Sequence, residues 1–236
     1  VVSLTTDQAM SLKTAQMAAL TSAQLSALET DDLQVLNTAQ LTALTTAQVP
    51  YLSTAQVVAL TTDQVPSLKT AQLAAMSTVQ LTALETDDLV TLGTAQIRSL
   101  TTDQISSLTT DQVTSLTTDQ VSSLTTAQVA ALTTAQMIAI ETDDLLALRS
   151  SQVSAMTTLQ MVALTTDQIS VMVTNQLTAL TSAQVASLTT AQVVALTSDQ
   201  VSSLKTSQIS ALTTAQVIAM ETDDLVSVTT AQLMAM

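Results

Sequence analysis

The sequence predicts an all-α superhelical solenoid with one short helix per octapeptide repeat, and three observations carry that reading. The chain divides from Val1 into 29 consecutive octads and a four-residue stub, Leu233 to Met236, without an insertion. Positions one and four of each octad are apolar throughout, so a buried stripe recurs with the period of the repeat. Gly93 is the only glycine among 236 residues, whereas a β-coil that turned every few residues would need many.

The period itself dictates a bend. Eight steps of about 100° leave each copy rotated by roughly 80° from the last, so a single continuous helix would carry no apolar seam. A strand reading fails because positions one and four have opposite parity along a strand. Within the octad, Leu, Ala, Met and Gln favour helix, while the hydroxyl residues at positions five and six favour its start.

Thr-Thr-Ala-Gln reads as an N-terminal cap. With position five as the cap, Gln at position eight completes a capping box, but Lys13, Lys69, Lys205 and Val173 offer no capping oxygen. Position six is Thr or Ser in every octad, and it is therefore the preferred cap. Asp7, Asp63 and Asp103 then lie in first helical turns, where the helix dipole favours them. Pro50 and Pro66 stand at position two, where a regular helix needs the amide, which predicts a late start or a 3₁₀ turn there.

Helices this short persist only by packing on neighbours, which makes the array quasi-one-dimensional. Residues 1–236 are read as one octapeptide-repeat solenoid domain, with a ring or horseshoe among its forms. Pro50 and Pro66 stand two octads apart, which points to two octads per coil. Position three is mostly Ser or Ala, small enough for close approach, with Tyr51 as an aromatic exception that marks a partner contact, local core filling or an end-of-curve adjustment. Met17, Met137 and Met161 hold position one as ordinary packing residues. The chain opens on Val1 and stops within a repeat at Met236, which reads as two cuts in a longer protein.

Composition narrows the function. The net charge is -14, from 19 acidic and 5 basic residues, which disfavours nucleic acid and anionic membrane surfaces and leaves cations and basic protein surfaces open. Lys13, Lys69, Arg98, Arg149 and Lys205 are too dispersed for a nucleic-acid patch. There is no Cys and no His, which removes disulfides, thiolate sites, the usual zinc ligands and the commonest general base. No apolar run reaches the roughly 18 residues that a membrane helix needs, so no membrane-spanning segment is expected. A hydroxyl repeated in every octad is not a nucleophile, since catalysis needs a base and an orienting group at one place. The expected protein is not an enzyme and takes no cofactor.

One modulation runs above the octad. Glu29-Thr30-Asp31-Asp32, Glu85-Thr86-Asp87-Asp88 and Glu141-Thr142-Asp143-Asp144 recur every seven octads, and Glu221-Thr222-Asp223-Asp224 follows ten octads after the third. With two octads per coil the clusters alternate faces; with seven per superhelical turn they align. Glu29, Asp31, Asp32, Glu85, Asp87, Asp88, Glu141, Asp143, Asp144, Glu221, Asp223 and Asp224 are the candidate ligands for a divalent cation or an iron mineral, because they supply hard oxygens. Helix-start stabilisation and solubility are the stronger reading, since no calcium-loop spacing or glycine accompanies them.

The octad Leu108-Thr109-Thr110-Asp111-Gln112 and its equivalents, with the ETDD octads, resemble the C-terminal repeat region of a magnetotaxis-associated protein of magnetosome-forming bacteria. The resemblance covers essentially the whole chain. It implies short helices in a superhelical, ring-like arrangement and an accessory or structural role connected with magnetotaxis, the cell envelope or the periplasm. It carries over no catalytic residue. Three functions stand side by side: a scaffold or protein-interaction solenoid, a cation or iron-mineral binding module, and a passive spacer. End-to-end self-association through exposed core is expected in addition.

Overall fold

The computed structural model describes residues 4–236; Val1, the position-one residue of the first octad, lies outside them. Among the described residues there are 27 α-helices of four to six residues and two 3₁₀ helices, one element per octad. The octad divides into six helical residues and two extended ones. In the unit around Ile105, Leu100 (φ -63°, ψ 139°) and Thr101 (φ -72°, ψ 162°) are extended, Thr102–Ser107 is helical, and Leu108 is extended again. That pair of extended residues is the bend that the period requires. No described residue has a positive φ, which is why one glycine suffices for so many turns.

Position five, not position six, is the N-cap. Thr101 Oγ1 accepts from the Gln104 amide at 3.1 Å, and Gln104 Oε1 accepts from the Thr101 amide at 2.8 Å. The preference for position six is thus corrected, and the reason is the glutamine. Lys13, Gly93, Arg149 and Val173 cap without a side-chain bond, yet each keeps its amide bonded to the position-eight Gln at 2.6 to 3.2 Å. Because the Gln supplies the second half of the box from a fixed place, the cap residue is free to vary. The first-turn placement of Asp7 and Asp103 survives, since position seven is the second residue of those helices, but Asp63 is corrected: its helix is the 3₁₀ turn Val65–Ser67, which starts two residues after it because Pro66 delays the start.

The proline expectation holds. Val49–Tyr51 and Val65–Ser67 are 3₁₀ helices, the two places where position two has no amide to give.

Two compact units divide the chain, Val1–Ser123 and Leu124–Met236. Within the first, Thr14–Ala19 packs on Thr38–Ala43, and Thr70–Ala75 on Thr94–Ser99. In the second, Thr126–Ala131 packs on Ser150–Ala155, and Ser198–Ser203 on Thr222–Ser227. Within each unit a helix stacks on the third one along, so a coil takes three octads and not the two suggested by the proline spacing. Pro50 and Pro66 therefore stand on different sides of the coil. Each unit is a solenoid of three-helix coils.

The core lies between coils and contains three side chains per octad. Position one is 0 to 3% exposed and position four 2 to 8% in the inner coils, as the sequence predicts. Met17, Met137 and Met161 are fully buried among them, which bears out their packing role. The third member is the position-eight Gln, for example Gln56 and Gln176 at 1% exposed. Tyr51, by contrast, is 55% exposed, so it does not fill the core.

Candidate functional site: the glutamine ladder and its acidic interruptions

Gln is buried because it has three bonds to make. Besides holding its own cap amide, Gln104 donates through Nε2 to the carbonyls of Leu73 at 2.8 Å and Met76 at 2.7 Å, in the coil before. Gln184 does the same to Val153 and Met156, at 3.0 and 2.8 Å. The carbonyls lie 31 and 28 residues back in both pairs: Leu73 and Val153 already accept the amides of Met76 and Met156 at 3.1 and 3.2 Å and gain a second donor from the Gln, while Met76 and Met156 are the C-caps, where the helix supplies no donor of its own. One amide thus joins the start of one helix to the end of another. Gln8, Gln16 and Gln24, in the first coil, keep the cap bond but stay exposed.

The octads with ETDD break this ladder. Asp is one methylene shorter than Gln and, when ionised, has no proton to donate. Asp32, Asp88, Asp144 and Asp224 take the buried place, at 2 to 5% exposed. Glu29, Glu85, Glu141 and Glu221 are cap residues without a side-chain cap bond, and Asp31, Asp87, Asp143 and Asp223 point outward in the first turn. Each candidate cluster is therefore split, with two carboxyls in solvent and one in the core. Among the described residues no three acidic side chains converge where they could hold a metal ion.

The buried aspartates are not equivalent. Asp224 Oδ1 accepts from the Ser198 hydroxyl at 2.8 Å, while Asp32 Oδ2 is buried without a hydrogen-bond partner. Asp88 has its carboxyl pushed above the ordinary range, first by burial and then by the charges of Glu85 and Asp87. Ser198 holds position six, and the position-six hydroxyl serves inter-coil bonding at two further serines: Ser150 and Ser182 donate to the carbonyls of Asn175 and Ser207, 25 residues on, each at 3.0 Å.

Within each unit the clusters fall on different sides of the coil. A spacing of seven octads is two coils and one octad over, so 29–32 and 85–88 neither align nor alternate between two faces. The same holds for 141–144 and 221–224, which are three coils and one octad apart. Sequence reasoning missed a different regularity. Helix Thr86–Leu89 stacks on Val65–Ser67 and beneath Thr110–Ser115, so Asp63, Asp87 and Asp111 form one acidic column at three-octad spacing. Asp7 with Asp31, Asp143 with Asp167, and Asp199 with Asp223 are shorter columns of the same kind. The signal was present in position seven, but it is visible only once the coil length is known.

Between the helix pair Thr134–Ala139 and Thr142–Ala147 and the start of Thr166–Val171 lies a shallow cleft of about 420 Å³, lined by Ile138, Glu141, Asp143, Thr165 and Asp167 among others. The core is tight by comparison: a gap beside the 3₁₀ turns, between Leu41, Val49 and Leu68, measures about 10 Å³. No helix among the described residues is long and apolar enough to cross a membrane.

Short capped helices stacked three to a coil, with core residues at fixed places in an octad, define an all-α tandem-repeat protein. The recurring side chains serve folding, and among the described residues they form no catalytic constellation. The sequence matches the ALTTAQ repeat family over residues 25–62, 81–118, 137–174 and 170–206, more than half of its length, and the chain belongs to that family. A search of the curated proteins finds no match.

Proposed function

We propose that the protein, read as one repeat domain over 1–236, is a non-catalytic scaffold that presents a regular lattice of exposed side chains to other proteins. The observation that supports this is how the octad distributes its variation. Positions one, four and eight are committed to the core and position five to capping, while positions two and seven face solvent and carry residues as different as Asp, Asn, Gln, Ala, Ser, Thr, Pro, Val, Ile, Leu, Met and Arg. A solenoid with a constant interior and a varied surface is the arrangement by which repeat proteins hold partners. The test is photo-crosslinking in the native host from residues introduced singly at positions two and seven of both units. Position-specific adducts with proteins are expected, and their absence at every site would leave the passive spacer standing.

Two narrower readings have some support. Asp32 Oδ2, buried and unpartnered, favours a cation at that cluster, whereas the outward Glu29 and Asp31 do not. A melting transition unchanged across millimolar Ca²⁺ or Fe²⁺ would remove this reading. The second is end-to-end contact between copies, which rests on the sameness of the stacking octads; sedimentation that shows a monomer at all concentrations would remove it. The link with magnetotaxis and the cell envelope rests on the resemblance of the octads alone.

A further inference from the structure

Two ETDD clusters have an exposed apolar residue beside them, and the third of the four also lines a cleft. The residue three before the cluster glutamate is Ser26 in the first copy and Thr82 in the second, and it becomes Ile138 in the third and Ile218 in the fourth. Ile138 is 52% exposed and lines the cleft. Helix Thr158–Ala163 stacks on Thr134–Ala139, which sets Val162 one coil from Ile138. Leu159 precedes Val162 by three residues and so shares its face of the helix. These side chains are 72% and 43% exposed, and Leu159 occupies position seven, where other octads carry mostly Ala or Asp. An apolar stripe of Ile138, Leu159 and Val162 therefore borders a cleft that contains Glu141, Asp143 and Asp167. All of it belongs to the second unit.

Clustered exposed apolar side chains on a charged, soluble surface mark a contact site. Three carboxylates at its edge, with no cation among the residues that line the cleft, set the sign of the occupant. We propose that this surface docks a basic amphipathic peptide segment of a protein partner, with Lys or Arg entering the cleft and apolar side chains covering the stripe. The inference rests on the scaffold reading and specifies where and what that scaffold binds. The column of Asp63, Asp87 and Asp111 beside Glu85 is an internal control, because it carries similar charge and has Thr82 where the docking site has Ile138.

The test uses the whole chain and labelled ten-residue peptides in fluorescence anisotropy at physiological salt. One peptide combines Lys and Leu, a second Lys and Ser, a third Glu and Leu. Saturable binding is expected for the Lys/Leu peptide alone. It should weaken at least tenfold in Ile138→Ser/Leu159→Ser/Val162→Ser and in Glu141→Gln/Asp143→Asn/Asp167→Asn, all surface changes whose fold is checked by circular dichroism. Glu85→Gln/Asp87→Asn/Asp111→Asn should change binding less than twofold. Equal binding of the Lys/Ser peptide, an equal loss in the control variant, or no saturation by millimolar peptide would overturn the proposal. Crosslinks elsewhere on the surface, together with such a failure, would leave the scaffold reading intact while removing this site.

Discussion

Replacing Asp88 by Gln should stabilise the protein at neutral pH. At rungs such as Gln104 and Gln184 the glutamine amide donates to carbonyls 31 and 28 residues back, and for residue 88 those positions are Val57 and Leu60. An ionised Asp88 gives them nothing, is 3% exposed, and is repelled by Glu85 and Asp87. Two restored hydrogen bonds contribute about 0.5 to 1.5 kcal/mol each, so the gain is about 1 to 3 kcal/mol. For a chain of this length that corresponds to a rise in Tm of roughly 3 to 10 °C. The pH dependence follows from the sign of the shift. The carboxyl of Asp88 titrates above its ordinary value of 3.8 in the folded protein, so its favourable protonated form is fully present in the folded state below that value. That contribution is lost as pH rises through the folded value. The advantage of Asp88→Gln should accordingly be largest near pH 7 and shrink on acidification through the carboxylate range. Paired thermal melts of the two proteins at pH 7 and pH 4 read the difference directly. A gain that does not depend on pH, or a lower Tm at pH 7, would refute the account of Asp88 as a broken rung.

The intact ladder makes the opposite prediction. Gln104→Ala removes three hydrogen bonds and strands the cap amide and the Met76 carbonyl, which should cost about 3 kcal/mol, while Thr101→Ala removes one capping bond and should cost about 1 kcal/mol; denaturant unfolding and amide exchange at residue 101 distinguish them. Thr109→Lys should cost no more than about 1 kcal/mol, because Gln112 still holds the cap amide, as Gln72 does at Lys69. Leu145→Ala should cost about 2 to 5 kcal/mol by opening a cavity between coils, whereas Leu146→Ala, on the outer face, should change stability by less than about 0.5 kcal/mol. Denaturation midpoints report both, and similar losses would contradict the assignment of position one to the core.

Much of this architecture is legible in the sequence because the octad is short and strict. Apolar residues at one and four identify the core, the two prolines locate the 3₁₀ turns, and Gln is suited to the polar groups at helix ends. The coil length is hidden. Every octad obeys the same local rules, so nothing in a single copy says whether its partner is two or three copies away; that is set by how steeply successive helices turn. The cap misleads for a related reason. A constant hydroxyl resembles a capping group, but a cap backed by a Gln three residues on tolerates Lys69, Gly93 and Arg149, so variability there signals support from elsewhere. The acidic columns and the cleft beside Ile138 emerge only from pairing residues three octads apart.

The equivalence of the rungs has an evolutionary consequence. Since each Gln finds its acceptors by counting back a fixed number of residues, an octad gained or lost by slippage leaves the bonding pattern intact on both sides of the event. What changes is the bearing of everything downstream, which turns by one third of a coil relative to everything upstream. The ten octads between the last two acidic clusters exceed seven by three octads, one whole coil, and a difference of that size advances the fourth cluster without changing its bearing. Copy number in this lattice works like a dial: it re-aims surface chemistry in fixed increments while the interior needs no new residue to accommodate the move.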